Sequence, residues 1–135
     1  MADAAAANAP FYGHTYAQFV TFLREPGEDA PVLSPKRYVA ALKIDLQDLA
    51  DQAGVHRNTL SRAPFSKAVQ DYMRQMLRVI KAAADLNGDM MNALFWYRNE
   101  PLAPFDYKTA ESLVAAGRAD DVVRYVSALE AGAAG

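Results

Sequence analysis

Five polar side chains fall within seven residues of the stretch AGVHRNTLSR, residues 53 to 62: His56, Arg57, Asn58, Ser61 and Arg62. Their chemistry is hydrogen bonding to a partner rather than bond breaking. Arginine can make paired bonds to guanine and asparagine to adenine, while serine and backbone N–H groups can hold phosphate. A frame to display them precedes and threads the stretch: Leu49-Ala50-x3-Gly54-Val55-x4-Leu60-Ser61-Arg62. Ala50 is small where two helices must touch, Gly54 permits the positive φ of a tight turn, and Val55 and Leu60 anchor the second helix. The frame predicts a helix-turn-helix over about residues 46 to 63, with Lys67 just beyond as a further phosphate contact. A helical hairpin used only for packing would carry the same frame.

No other constellation suggests catalysis. The two histidines, His14 and His56, are far apart and lack metal-ligand spacing. The carboxylates are scattered, and the glycines of LNGD and AAGRAD close helices rather than cradle phosphate. The expectation is therefore a non-enzyme with no metal and no cofactor of its own.

Charge is segregated along the chain. The formal net charge is −2, yet residues 54 to 81 carry Arg57, Arg62, Lys67, Arg74, Arg78 and Lys81 against Asp71 alone. A local basic face governs phosphate binding more than the overall charge does, so this block is expected to form one. A basic face that merely meets solvent is the alternative. The absence of cysteine excludes disulfides and thiolate metal sites and suits a reducing cytoplasm, the expected location. The opening MADAAAANAP lacks a secretory pattern, and no apolar run approaches the roughly 20 residues that span a bilayer.

The elements that must position these residues are helical, and an all-α fold is expected, with 135 residues forming one domain or two small ones sharing a core. Residues 1–14 form a flexible tail. Residues 15–86 form a DNA-binding-like unit: a helix capped by Thr15, a helix opened by Ser34-Pro35, a helix from Asp45 to Gly54, the short helix after it, and a long helix capped by Ser66. Residues 87–135 form a second helical unit, in which DMMNALFWYRN is so apolar that it must be largely buried and Trp96 is core. A helix there starts at Asp106 or Tyr107 and ends at Gly117. A last one runs from about Ala119 to Glu130. A symmetric homodimer is expected, because one helix-turn-helix covers little DNA. Its candidate seams are the stripe of Met73, Met76 and Ile80 and the Phe-rich N-terminal helix.

The second unit carries a more specific pattern: Trp96, Asn99, Pro101 and Leu102, then Thr109, Leu113, Gly117, Val122 and Gly132. It resembles the toxin-binding domain of the Xre/MbcA/ParS antitoxins. Ala110 stands where that family often has proline, and Glu100 separates Asn99 from Pro101. The resemblance covers about residues 34 to 132. It implies the antitoxin of a bacterial type II toxin–antitoxin module. Its partner would be a RES-domain toxin that consumes NAD or transfers its ADP-ribose. The antitoxin would occlude the toxin's active site and repress its own operon through operator DNA. The toxin contact is expected on Arg118, Val122, Arg124, Tyr125 and Leu129, then Gly132, Ala133, Ala134 and Gly135, a slim tail able to enter a narrow cleft. The competing possibility is a stand-alone helix-turn-helix regulator whose second half dimerises or binds a ligand.

Overall fold

The computed structural model describes residues 11 to 27 and 31 to 132. Among them are eight α-helices and no strand: α1 (Tyr16–Leu23), α2 (Pro35–Leu42), α3 (Leu46–Ala53), α4 (Arg57–Arg62), α5 (Lys67–Asn87), α6 (Met90–Asn99), α7 (Ala110–Ala115) and α8 (Ala119–Glu130). The expected all-α class is what the chain adopts, and no helix among the described residues is long and apolar enough to cross a membrane.

Local chemistry starts and stops most of these helices. Thr15 and Gln18 form a reciprocal capping box at α1, and Asp45 and Asp48 form one at α3. Ser34 Oγ accepts from the Arg37 N–H at α2, with Pro35 at the first helical position. Gly88 ends α5 in the left-handed conformation that a glycine adopts without strain. Ser66 departs from expectation. It stands at the start of α5, but its hydroxyl makes no cap bond and is buried without a partner.

The 21-residue α5 is the axis of the molecule. Its buried side chains Val69, Met73, Met76, Val79 and Ile80 are fully shielded from solvent, and α3, α6, α7 and α8 all pack on it. One contiguous core therefore runs from Phe11 to Val126, through both halves of the chain. That placement takes Met73, Met76 and Ile80 of one expected dimer seam, and Phe19 of the other, into the core.

Of the expected tail, residues 1 to 10 lie outside the described residues, and Phe11 departs from expectation by packing into the core although Tyr12 is exposed. Phe11 is buried edge-on against Phe19 with ring centroids 5.2 Å apart, and the Met90 N–H donates to the His14 carbonyl. The reason is apolar: a phenylalanine following an alanine-rich run finds the open end of the α1 stripe.

Polar groups join distant segments in the interior. The buried Gln70 amide accepts from the Leu33 N–H at 2.9 Å and donates to the Leu33 carbonyl at 2.8 Å, which a second strand would otherwise satisfy. Beside it, Ser34 N–H donates to the Leu23 carbonyl and Glu25 N–H to the Val32 carbonyl, closing the connection from α1 to α2. Across the core, the hydroxyls of Tyr38 and Tyr72 donate to Gln52 Oε1, and burial raises both phenols above their ordinary value of 10.0. Arg98 on α6 donates to the Leu42 carbonyl, and its Nε lies 3.2 Å from Glu111 Oε2 on α7. These contacts tie the first half to the second.

Gln70→Ala should lower the unfolding free energy by about 2–4 kcal/mol, because it strands two buried backbone groups and leaves a cavity. Urea denaturation followed by circular dichroism measures it. A loss below about 1 kcal/mol would mean that water replaces the amide.

Candidate DNA-reading helices and partner-binding face

The short helix α4 follows α3 through a turn built by one glycine. Gly54 has φ +73° and ψ +31°, and its N–H reaches the carbonyls of Ala50 and Asp51. The Val55 N–H then donates to the Ala50 carbonyl at 3.0 Å. Ala50 and Leu49 are fully buried, Leu60 nearly so, and Val55 is half-buried. The anchors thus point inward as the sequence frame requires. His56 stands at the N-cap of α4 without a side-chain cap bond, and His56, Arg57, Asn58, Ser61 and Arg62 are all exposed. His56, Arg57, Asn58 and Arg62 line a polar groove of about 560 Å³ with Gln47 and Asp51.

The electrostatics are less one-sided than the sequence suggests, and the continuous basic face does not form. Helical rotation distributes the block of residues 54 to 81 around α5. Arg78 pairs with Asp120 of α8 at 2.8 Å, and Lys81 pairs with Asp85. Lys67 is held by Asp71, which Arg74 also approaches at 3.8 Å. Among the described residues, Arg57 and Arg62 have no carboxylate partner. Both line the polar groove that also holds Asp51 of α3. The N-terminus of α3 is also closed to phosphate, since the Asp45 carboxylate already takes the Asp48 N–H at 2.8 Å and returns the favour through Asp48.

The second candidate surface lies on α8. Its expected contact residues divide. Val122 is 0% exposed and belongs to the core, so it is removed from the partner-binding set: the α8 side that carries it, with Val126, faces α5. Arg118 is exposed at the N-cap, with its guanidinium over the Phe105 ring at 5.2 Å. Tyr125 is half-buried and meets the same ring edge-on at 5.7 Å. Phe105 belongs to a short 3₁₀ turn, Ala103–Phe105, and nothing in the sequence marks it, because its role depends on the following loop. Asp121 gathers both arginines: Arg118 Nε at 3.0 Å and Arg124 at 2.6 Å. The hydrogen bond from Arg118, joined by that from Arg124, holds its carboxyl below the ordinary 3.8. Leu129 is half-buried near the end of α8, and Gly132 is exposed with φ +77°. Ala133, Ala134 and Gly135 lie outside the described residues.

Two further expectations for this half are corrected. The helix placed at Asp106 or Tyr107 begins at Ala110 under the Thr109 cap, because Asp106 and Tyr107 both take left-handed backbone in a closed loop. There the Leu102 N–H donates to the Lys108 carbonyl, and the Tyr107 N–H to the Leu102 carbonyl, both at 3.0 Å. Helix α6 is not largely buried. Met90, Ala93, Leu94 and Tyr97 are covered, whereas Met91 is 39% and Phe95 68% exposed. Its neighbours α5 and α7 cover only one side of the helix. Trp96 is half-buried against the core.

No family model, curated protein or solved structure matches the chain.

Two measurements check these electrostatics. Only Arg57 and Arg62 are free on the α4 face, so binding of the chain to duplex DNA should show a log–log salt slope of about −2 per chain. Asp51→Asn should strengthen binding to all sequences, and Arg62→Ala should weaken it. Fluorescence anisotropy across a salt series reads all three, and a slope beyond about −4 would recruit Lys67 and Arg74 to phosphate. At α8, the Asp121 carboxyl should titrate below 3.8 by NMR. Its pairs with the arginines are complete above that range and are lost as pH falls through the lowered value. Arg118→Ala should move the midpoint upward.

Proposed function

We propose that this chain is a protein inhibitor: the antitoxin of a bacterial type II toxin–antitoxin module, acting in the cytoplasm on a RES-domain toxin that uses NAD. It performs no chemistry itself. It binds the toxin with the outer face of α8, and the chain leaving α8 at Gly132 occludes the active-site cleft. The observation that carries this is the patch of Arg118, Arg124, Tyr125 and Phe105 organised around Asp121. Arginine and tyrosine supply much of the binding energy at protein interfaces. Here their positions are set before any partner arrives, which lowers the entropy lost on association.

Charge decides the order of contacts. An NAD site accepts a pyrophosphate and so favours anions. Arg118 and Arg124 are therefore better placed at the rim, where they meet acidic side chains, than in the depth of the cleft. The neutral Gly/Ala tail suits the innermost position. As a second role, α3 and α4 act as a helix-turn-helix in which Arg57, Asn58 and Arg62 read operator DNA, autoregulating the operon.

Co-expression with the product of the adjacent reading frame, followed by co-purification and an NAD-turnover assay, tests the proposal. A stable complex without turnover is expected. Arg118→Ala and Tyr125→Ala should each weaken the complex by roughly 10- to 100-fold. Deleting residues 131 to 135 should leave fold and complex intact and restore NAD turnover. Full inhibition by the truncated chain would place the inhibitory surface on the helices alone. Operator binding with no protein partner would identify a stand-alone regulator instead.

A further inference from the structure

The loop from Leu102 to Lys108 holds an aromatic side chain on strained backbone. Asp106 has φ +57° and Tyr107 φ +63°, and Tyr107 is 70% exposed. An L residue there brings its β-carbon against the following carbonyl oxygen, so the region is left to glycine and, less often, to asparagine or aspartate. The rest of the described chain keeps to that rule. Five glycines, from Gly27 to Gly132, take positive φ. Lys43 takes it as the residue that ends α2, with its N–H on the Val39 carbonyl. Asp106 is of a tolerant type, and Tyr107 is not. What the loop needs at position 107 is the backbone alone. The Tyr107 N–H donates to the Leu102 carbonyl at 3.0 Å and the Lys108 N–H to the Phe105 carbonyl at 3.1 Å. A glycine would make the same bonds without strain. The exposed ring, for its part, gains little from burial to offset the cost of its own backbone. Strain kept for a side chain that the fold does not use points to a task outside the fold.

We propose that Tyr107 is a partner-contacting residue, whose ring enters an apolar slot on the protein that α8 binds, with a hydrogen-bond acceptor at the end of the slot for the phenol. The proposal rests on the reading of α8 as the partner-binding face and extends that face across the loop. Continuity comes through Phe105, two residues before Tyr107. Its ring carries the Arg118 guanidinium at 5.2 Å and the edge-on Tyr125 ring at 5.7 Å, so the loop is seated on α8. The kind of partner follows from shape and charge. A ring standing out from a closed loop is convex, whereas small molecules bind in concave sites. Asp106, exposed beside the ring, and Asp121, on the arginines beyond Phe105, both disfavour nucleic-acid phosphate. A protein surface suits the ring, because tyrosine joins apolar area to a polar tip and is enriched at interface hot spots. Lys108, exposed on the other side of the ring, adds a rim contact for an acidic side chain. The loop's backbone bonds fix where the ring is presented, so binding orders only the side chain.

Stability and binding should move in opposite directions, which a merely structural residue would not do. Tyr107→Gly removes both strain and ring. Tyr107→Asn removes the ring but tolerates the same backbone without loosening the loop as glycine does. Thermal melts of the full chain should rise by about 2–6 °C for Tyr107→Gly and should not fall for Tyr107→Asn. Surface plasmon resonance against the purified product of the adjacent reading frame should show both variants binding about 10-fold or more weakly, chiefly through faster dissociation. Tyr107→Phe, which keeps the ring, should lose only a few-fold. Binding to duplex DNA should be unchanged in all three. Wild-type affinity in Tyr107→Gly and Tyr107→Asn would overturn the proposal and leave the α8 reading standing. Weakening by Tyr107→Gly alone would assign the effect to loop rigidity and overturn it as well. A lowered melting temperature in Tyr107→Gly would show that the ring serves the fold, against the proposal's premise. A wild-type chain that does not bind that protein would overturn the α8 reading, and this proposal with it.

Discussion

Everything in this molecule depends on one helix being buried from several directions. Helix α5 is long enough, at about 1.5 Å per residue, to traverse a small domain. Its apolar side chains are not confined to one narrow stripe, since Val69, Tyr72, Met73, Met76, Leu77, Val79, Ile80 and Ala83 are all buried. A helix with so wide an apolar face cannot be satisfied by one neighbour. The first half of the chain covers it with α3 and the second with α6, α7 and α8. The two halves are consequently a single packing problem. The Tyr38–Gln52–Tyr72 hydroxyl–amide cluster and the Arg98 bridge from Leu42 to Glu111 fix how the coverings meet. The buried polar groups are directional where the methionines and valines around them are not.

What the sequence made legible is what local chemistry decides. Thr15, Ser34 and Asp45 accept helix N–H groups because a short side-chain oxygen next to a helical run has few better partners, and Gly54 turns because its backbone alone does so without strain. The inward anchors Ala50 and Leu60 follow from helical periodicity. What stayed hidden is what neighbours decide. Val122 and Tyr125 are three residues apart, yet one faces α5 and the other faces Phe105. The apolar letters of α6 give no phase, so Phe95 looked as buried as Leu94. The loop at Asp106 and Tyr107 hid for another reason: two consecutive non-glycine residues at positive φ are costly, about 1–2 kcal/mol each, and only closure of the Leu102–Lys108 hydrogen bonds sustains them.

The charge pattern shows the same division. Along the sequence, residues 54 to 81 form one basic block. In space, helical rotation sends its members to different partners, and the acid that pairs with Arg78, Asp120, comes from 42 residues away. Counting charge along the chain therefore overstated the cationic face, while the nearby acids of α3 went uncounted because they precede the turn. The DNA binding proposed above would therefore rest on hydrogen bonds to bases more than on long-range attraction.

The two pairs of exposed arginines illustrate how one residue type is held in two different ways. Arg118 and Arg124 are held on Asp121, and Arg118 is also stacked on Phe105. Exposed pairs of this kind add little to folding stability. Their consequence is orientational: a partner meets guanidinium groups already aligned, and the complex loses less side-chain freedom on forming. Arg57 and Arg62 have no such support among the described residues and retain their rotamers. That suits a base edge, where the side chain must adjust to the groove before its paired hydrogen bonds align. The preset arginines lie on a helix packed against α5, and the free ones on a six-residue helix hinged at Gly54. The α8 face thus presents arginines held by their neighbours, and the α4 face presents arginines that the described residues leave unpaired.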